Sequence, residues 1–195
     1  DDDGQWYRYH PLFPEVLQHR LRETTPQAWR RLHHLASAWY EEQSLYADAI
    51  HHAMRAGDFS RTAELIELSW PAAWDQGAVA TLIHWVAALP IERVVARPSL
   101  AVSYAWALAF ADQSEAAEAC LQLVETTVCD LGPSSDSATI GRNTLLGRIA
   151  ALRAMMAARR GDANDAVQLA QAALALMNSA EASARGNAWY VLGLA

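Results

Sequence analysis

The first candidates for chemistry are the seven histidines, all between His10 and His84, because imidazole can ligate a metal or move a proton near neutral pH. They include the doublets His33-His34 and His51-His52. A zinc site on a helix favours two histidines three or four residues apart with a carboxylate or thiolate nearby, and no pair here has that spacing. No metal site is therefore expected, and the doublets read as solvated helix faces. Glu41-Glu42 and Glu115 with Glu118 are spaced as surface carboxylates are, and nothing in the sequence brings two of them into a shared pocket. Gly-x-Ser-x-Gly, His-Glu-x-x-His and a glycine-rich phosphate cradle are all missing, so no catalytic residue is predicted. All 15 basic residues are arginine. Without lysine, neither a Walker-type phosphate loop nor Schiff-base chemistry can be built from this chain.

Tryptophan is the other abundant group, with eight in 195 residues. Trp70, Trp74, Tyr104 and Trp106 fall in the middle third and form the candidate ligand groove, since aromatic faces on the inner side of a helical array suit sugars, apolar metabolites or a partner peptide. The competing reading is plain helix packing, which Trp85, just before Leu89-Pro90, fits best. Cys120 and Cys129 are nine positions apart on one expected helix, about 13 Å along its axis, too far for a disulfide. Arg160-Gly161-Asp162 reads as a cationic helix end, a glycine stop and an aspartate cap rather than as a recognition tripeptide.

The elements that position these groups are helices. Start and stop signals and apolar periodicity divide the chain into about ten of them, with strand-like alternation only in Gln5–His10. A helix opened by Thr25 and Pro26 places Trp29, Leu32, Ala36 and Trp39 on one face, predicted to pack inward. Its partner carries Ala49, Ile50 and Ala53 and stops at Ala56-Gly57-Asp58. Ala111-Asp112 and Gly161-Asp162 repeat that punctuation, with the aspartates expected as caps. A short helix is expected between Pro90 and Pro98, and a loop at Gly132-Pro133-Ser134-Ser135-Asp136. Leu145, Ile149, Leu152 and Met156 mark one later helix, and Val167, Ala170, Leu174 and Met177 its partner. The last residues, 188–195, still read as helical and apolar, as an array cut within a repeat would. The fold class is all-α, a tetratricopeptide-like helix-turn-helix repeat array forming an α-α superhelix.

A net charge of -7 with scattered arginines argues against nucleic-acid binding by this segment. No apolar run reaches membrane-spanning length and no secretory signal is present in this sequence, so a cytoplasmic location is expected.

The run Trp6-Tyr7-Arg8-Tyr9-His10-Pro11-Leu12-Phe13, then Leu17, His19-Arg20-Leu21, Ala38-Trp39-Tyr40 and Asp48-Ala49-Ile50-x-x-Ala53, resembles the MalT-like group of large ATP-binding LuxR-type regulators. Trp85-Val86-x-x-Leu89-Pro90 and Arg97-Pro98-x-Leu100 extend the resemblance. It implies a nucleotide switch of the STAND class ending in a winged helix, a tetratricopeptide-like sensor superhelix, and a terminal helix-turn-helix. Residues 1–24 would be the winged-helix tail, 25–130 the first part of the repeats and 138–195 the second. His10 would sense nucleotide state in the full-length protein, although Pro11 stands where related motifs carry an acidic residue. ATP or ADP is implied for the full-length protein and no cofactor for this segment. Expected partners are a small-molecule inducer or a regulatory protein, DNA through a domain outside this chain, and other copies of the full-length protein. The alternative is a stand-alone scaffold for protein assembly.

Overall fold

The structure is a computed structural model that describes residues 12–130, 136–178 and 181–194, with side chains outside 12–14, 129–130 and 136–140. The Gln5–His10 segment, His10 itself and most of the 132–136 loop thus lie outside the described residues. Every element among those described is an α-helix: α1 (Leu12–Thr24), α2 (Pro26–Glu42), α3 (Tyr46–Ala56), α4 (Phe59–Asp75), α5 (Val79–Ala87) and α6 (Ile91–Val95). There follow α7 (Pro98–Phe110), α8 (Ser114–Asp130), α9 (Asp136–Arg160), α10 (Ala163–Leu176) and α11 (Ala182–Leu194). The protein is an all-α helical repeat array, and the short helix between the two prolines is α6.

One backbone device ends five of these helices. Ser44, Gly57, Gly77, Asp112 and Gly161 all have positive φ, between 59° and 84°. At each, the left-handed residue donates its N–H to a carbonyl three residues back, and the next residue donates to one five back: Gly57 to Met54 with Asp58 to Ala53, and Gly161 to Ala158 with Asp162 to Ala157. Ser44 with Leu45, Gly77 with Ala78 and Asp112 with Gln113 do the same. These are Schellman motifs, which satisfy the last carbonyls of a helix and turn the chain sharply.

The motif corrects two expectations about capping. Asp58 does cap, its Oδ1 accepting from the Arg61 N–H at 3.0 Å. Asp112 instead occupies the left-handed position that Gly57 holds in the first turn, and its carboxylate pairs with Arg159 at 2.8 Å. Aspartate tolerates that conformation better than most side chains. Asp162 makes no side-chain cap and pairs with Arg160 Nε at 3.1 Å.

The chain divides into two units, residues 1–69 and 70–195. In the first, α2 packs on α3 by a face that keeps Trp29 and Ala36 of the predicted stripe but not Leu32 and Trp39. Leu32 is 53% and Trp39 54% exposed, and Leu35 between them also points outward. The inward stripe is Trp29, His33, Ala36, Ser37 and Tyr40, a set of steps that also follows the helical period. Ser37 is buried and donates to the Ala49 carbonyl at 2.9 Å, and Trp29 Nε1 donates to the Arg55 carbonyl at 3.1 Å. Buried hydrogen bonds thus select a mixed polar face over the more apolar one. The carboxylate of Glu41 on α2 also pairs with Arg61 on α4.

In the second unit α7 packs against α5, α6, α8 and α9. Leu100, Val102, Ala105 and Leu108 are all buried, as an apolar stretch of that length demands. Helices α9, α10 and α11 share a core of alanines at 151, 154, 157, 166, 170 and 173, small enough for close approach, closed by Met177 and Val191. Arg153 on α9 holds both oxygens of Glu118 and reaches Glu125 at 3.0 Å, joining α9 to α8. Burial works against its charged form, but the hydrogen bonds and charges of the two glutamates outweigh this and raise its pKa. Arg159 donates to the Ala109 carbonyl at 2.7 Å, tying the end of α9 to that of α7.

Candidate functional site

Three of the four predicted groove residues come together in the second unit. Trp70 and Trp74, one turn apart on α4, stack at 6.5 Å between centroids, and Trp74 meets the edge of Phe110 from α7 at 5.6 Å. With Trp106 they wall a cavity of about 530 Å³, within the range of ~300–1,000 Å³ that holds small ligands. Tyr104 is placed elsewhere: burial, then the neighbouring Cys120, raise its pKa, and it does not line this cavity.

The polar side of the cavity was not foreseen. Ser103, Arg148, Glu181 and Asn187 line it, with Asp75 at the end of α4. Arg148 donates to Ser103 Oγ at 3.1 Å. Burial pulls its guanidinium pKa down, and the charge of Glu181 opposes that. Nothing in the linear spacing of residues 75, 103, 148 and 181 could have marked them as neighbours. An arginine inside the apolar run of α9, one residue from Gly147, was the available signal. An adjoining, more apolar groove of about 650 Å³ shares Phe110 and Met155 and is bounded by Tyr190 and Leu194.

The other cluster corrects the reading of the histidine doublets. One member of each turns inward: His33 on α2 and His52 on α3 bring their Nδ1 atoms to 2.7 Å. At that distance one ring donates and the other accepts, so the two carry different tautomers. Tyr40 stacks on His52 at 5.2 Å and Trp29 meets His33 edge-on at 4.1 Å. Their outer neighbours His34 and His51 are exposed. Among the described residues no group of three or more His, Cys, Asp or Glu is placed to hold a metal. Cys120 is a free, buried thiol whose pKa burial pushes up to about 11, which keeps it a poor nucleophile.

The paired imidazoles should make the first unit acid-sensitive. Burial, then the charges of His52, Arg55 and His51, pull His33 from 6.5 down to about 4; burial, His51 and Arg55 also lower His52, with Asp48 opposing. Both rings therefore bind protons more weakly folded than unfolded. Their stabilising contribution is complete above pH 6.5 and is lost as pH falls from there toward 4. The loss should be about 1–2 kcal/mol, less than the full shift would give because both rings are partly solvated. Urea unfolding followed at pH 7.5 and pH 4.5 checks this, and His33→Phe should flatten the difference.

A family profile for the MalT winged helix domain matches residues 1–29. The HTH-type transcriptional regulator MalT of Cronobacter sakazakii is 31% identical over 175 residues, which is 89% of this chain and 18% of that protein. The regulator of the same name from Serratia proteamaculans is 30% identical over 89% of this chain and 19% of its own length. The serine/threonine-protein kinase PknK of Mycobacterium tuberculosis is 33% identical over 128 residues, 66% of this chain and 12% of that protein. No solved structure matches. The described residues are an all-α helical repeat region, and the MalT winged helix match overlaps α1 and the start of α2. The chain itself is MalT-like, aligning along 89% of its length with a segment of those regulators and spanning less than a fifth of their length. No described helix is long and apolar enough to cross a membrane.

Proposed function

We propose that this chain is the effector-sensing helical region of a MalT-type transcription regulator and that it does no covalent chemistry. The aromatic cavity of residues 70–195 carries the reading: Trp70, Trp74, Trp106 and Phe110 give a ligand apolar surface, and Arg148, Ser103 and Glu181 orient it. The effector is a small inducer or a segment of a regulatory protein. Its binding favours one arrangement of the stacked helices, and that shift passes to an ATP switch and a DNA-binding domain outside this chain. His10 reports nucleotide state in the full-length protein, and that protein self-associates. The acidic balance of the chain supports placing the DNA contacts elsewhere. A contact with a protein partner as well is supported by the outward stripe Leu32, Leu35 and Trp39 on α2.

The test is tryptophan fluorescence and thermal shift of the 195-residue chain against a metabolite and peptide collection. A ligand that raises the melting temperature and perturbs tryptophan emission is expected, with the effect lost in Trp74→Ala. Indifference to the whole collection would remove the effector reading.

A further inference from the structure

The charges inside the cavity narrow the chemistry of what it takes. Its lining holds one guanidinium, Arg148, and two carboxylates, Asp75 and Glu181, set against the rings of Trp70, Trp74 and Phe110. Among the described residues the hydrogen-bond partner of Arg148 is the neutral hydroxyl of Ser103. The charge of Glu181 also acts on this guanidinium, and a carboxylate can still take two of its N–H groups in a fork, where the neutral Ser103 hydroxyl takes one. A simple anion would nevertheless meet an excess of negative charge, since two carboxylates outnumber the one arginine. A simple cation would suit the carboxylates and the ring faces but would be repelled by Arg148. A neutral polyol could stack on the rings and hydrogen-bond to these groups, but it would neutralise none of the three charges.

We infer that the effector is a zwitterion with an apolar body, an amino acid or dipeptide, whose carboxylate meets Arg148 and Ser103 and whose ammonium lies toward Glu181 and Asp75. The apolar body fills the space between the tryptophans and Met155. A volume of about 530 Å³ exceeds what one free amino acid needs and accommodates a dipeptide. This inference rests on the reading of the cavity as the effector site.

The experiment titrates the 195-residue chain with leucyl-phenylalanine, its N-acetyl form, its C-terminal amide and a neutral trisaccharide, reading tryptophan emission and calorimetry. The free dipeptide should bind at least tenfold more tightly than either blocked form. Arg148→Gln should bring the dipeptide down to the affinity of its amide. Should that variant fail to fold, Asp75→Asn with Glu181→Gln should erase the preference for the free dipeptide over the N-acetyl form. Equal affinity of free and blocked dipeptides would overturn the inference. So would binding of the trisaccharide, or of another compound from the wider collection, at the same tryptophans without binding of the dipeptide, a result that leaves the cavity an effector site. Silence from every compound would overturn the inference together with the effector reading on which it rests.

Discussion

Truncating Leu152 to alanine should lower the stability of the 70–195 unit by about 2–5 kcal/mol, the range found when a fully buried leucine is cut back and its neighbours close the space only in part. Leu152 lies on α9 with no solvent exposure, beside Ile149, which is also buried. The same helix carries Arg148 and Met155 into the cavity, so its packing positions the candidate site as well as the core. The melting temperature of the unit should fall by several degrees. Because helical arrays are stabilised mainly between neighbours, hydrogen exchange should quicken first in α9, α10 and α11, while α2 and α3 keep their protection. Equal loss of protection in α2 and α3 would mean that the whole chain unfolds as one cooperative body.

Two glycines in helices should answer the same substitution with opposite signs. A methyl at Gly147 would run into Cγ of Met177, and would come within 3.2 Å of the Ala173 carbonyl and 3.3 Å of the Leu176 Cβ. Met177 is itself buried, and the carbonyl belongs to the backbone of α10, so neither neighbour yields easily. Overpacking of this kind costs about 1–3 kcal/mol, more than the gain of about 1 kcal/mol in helix propensity. Gly147→Ala should therefore be destabilised, and the strain falls one residue from Arg148. A methyl at Gly186 on α11 would meet nothing within 4 Å. Gly186→Ala should be stabilised by about 0.5–1 kcal/mol. Paired denaturation curves of the two variants check both signs, and a stabilised Gly147→Ala would show that α9 and α10 can move apart at little cost.

Much of the local structure was legible in the sequence because its causes are local. Gly57 and Gly161 end helices where glycine relieves the left-handed conformation, the prolines at 90 and 98 bracket a short helix, and the apolar run from Pro98 onward is the buried α7. The absence of lysine by itself rules out two classes of lysine chemistry. The residues carrying the resemblance to MalT also lie in the sequence, and the matches with those regulators bear it out.

What the linear order left open depended on which surfaces meet. On α2, two stripes satisfied the helical period, and the choice between them followed from partners on α3: the Ala49 carbonyl for Ser37 and the His52 imidazole for His33. Spacing along one helix cannot reveal a histidine pair separated by 19 residues on two helices. Asp112 departs from the expected cap because its left-handed backbone is held by a turn closed across Leu108 and Ala109, and its carboxylate is claimed by Arg159 from 47 residues away. In the candidate site Trp70 and Trp74 were legible as members of an aromatic cluster in the middle third of the chain. Arg148, Ser103 and Glu181 come from three separate segments, and tertiary packing alone joined them to those rings. Periodicity and backbone stereochemistry act within a few residues and are written in the sequence; burial, charge pairing and cavity shape act between helices and were decided only when those helices packed.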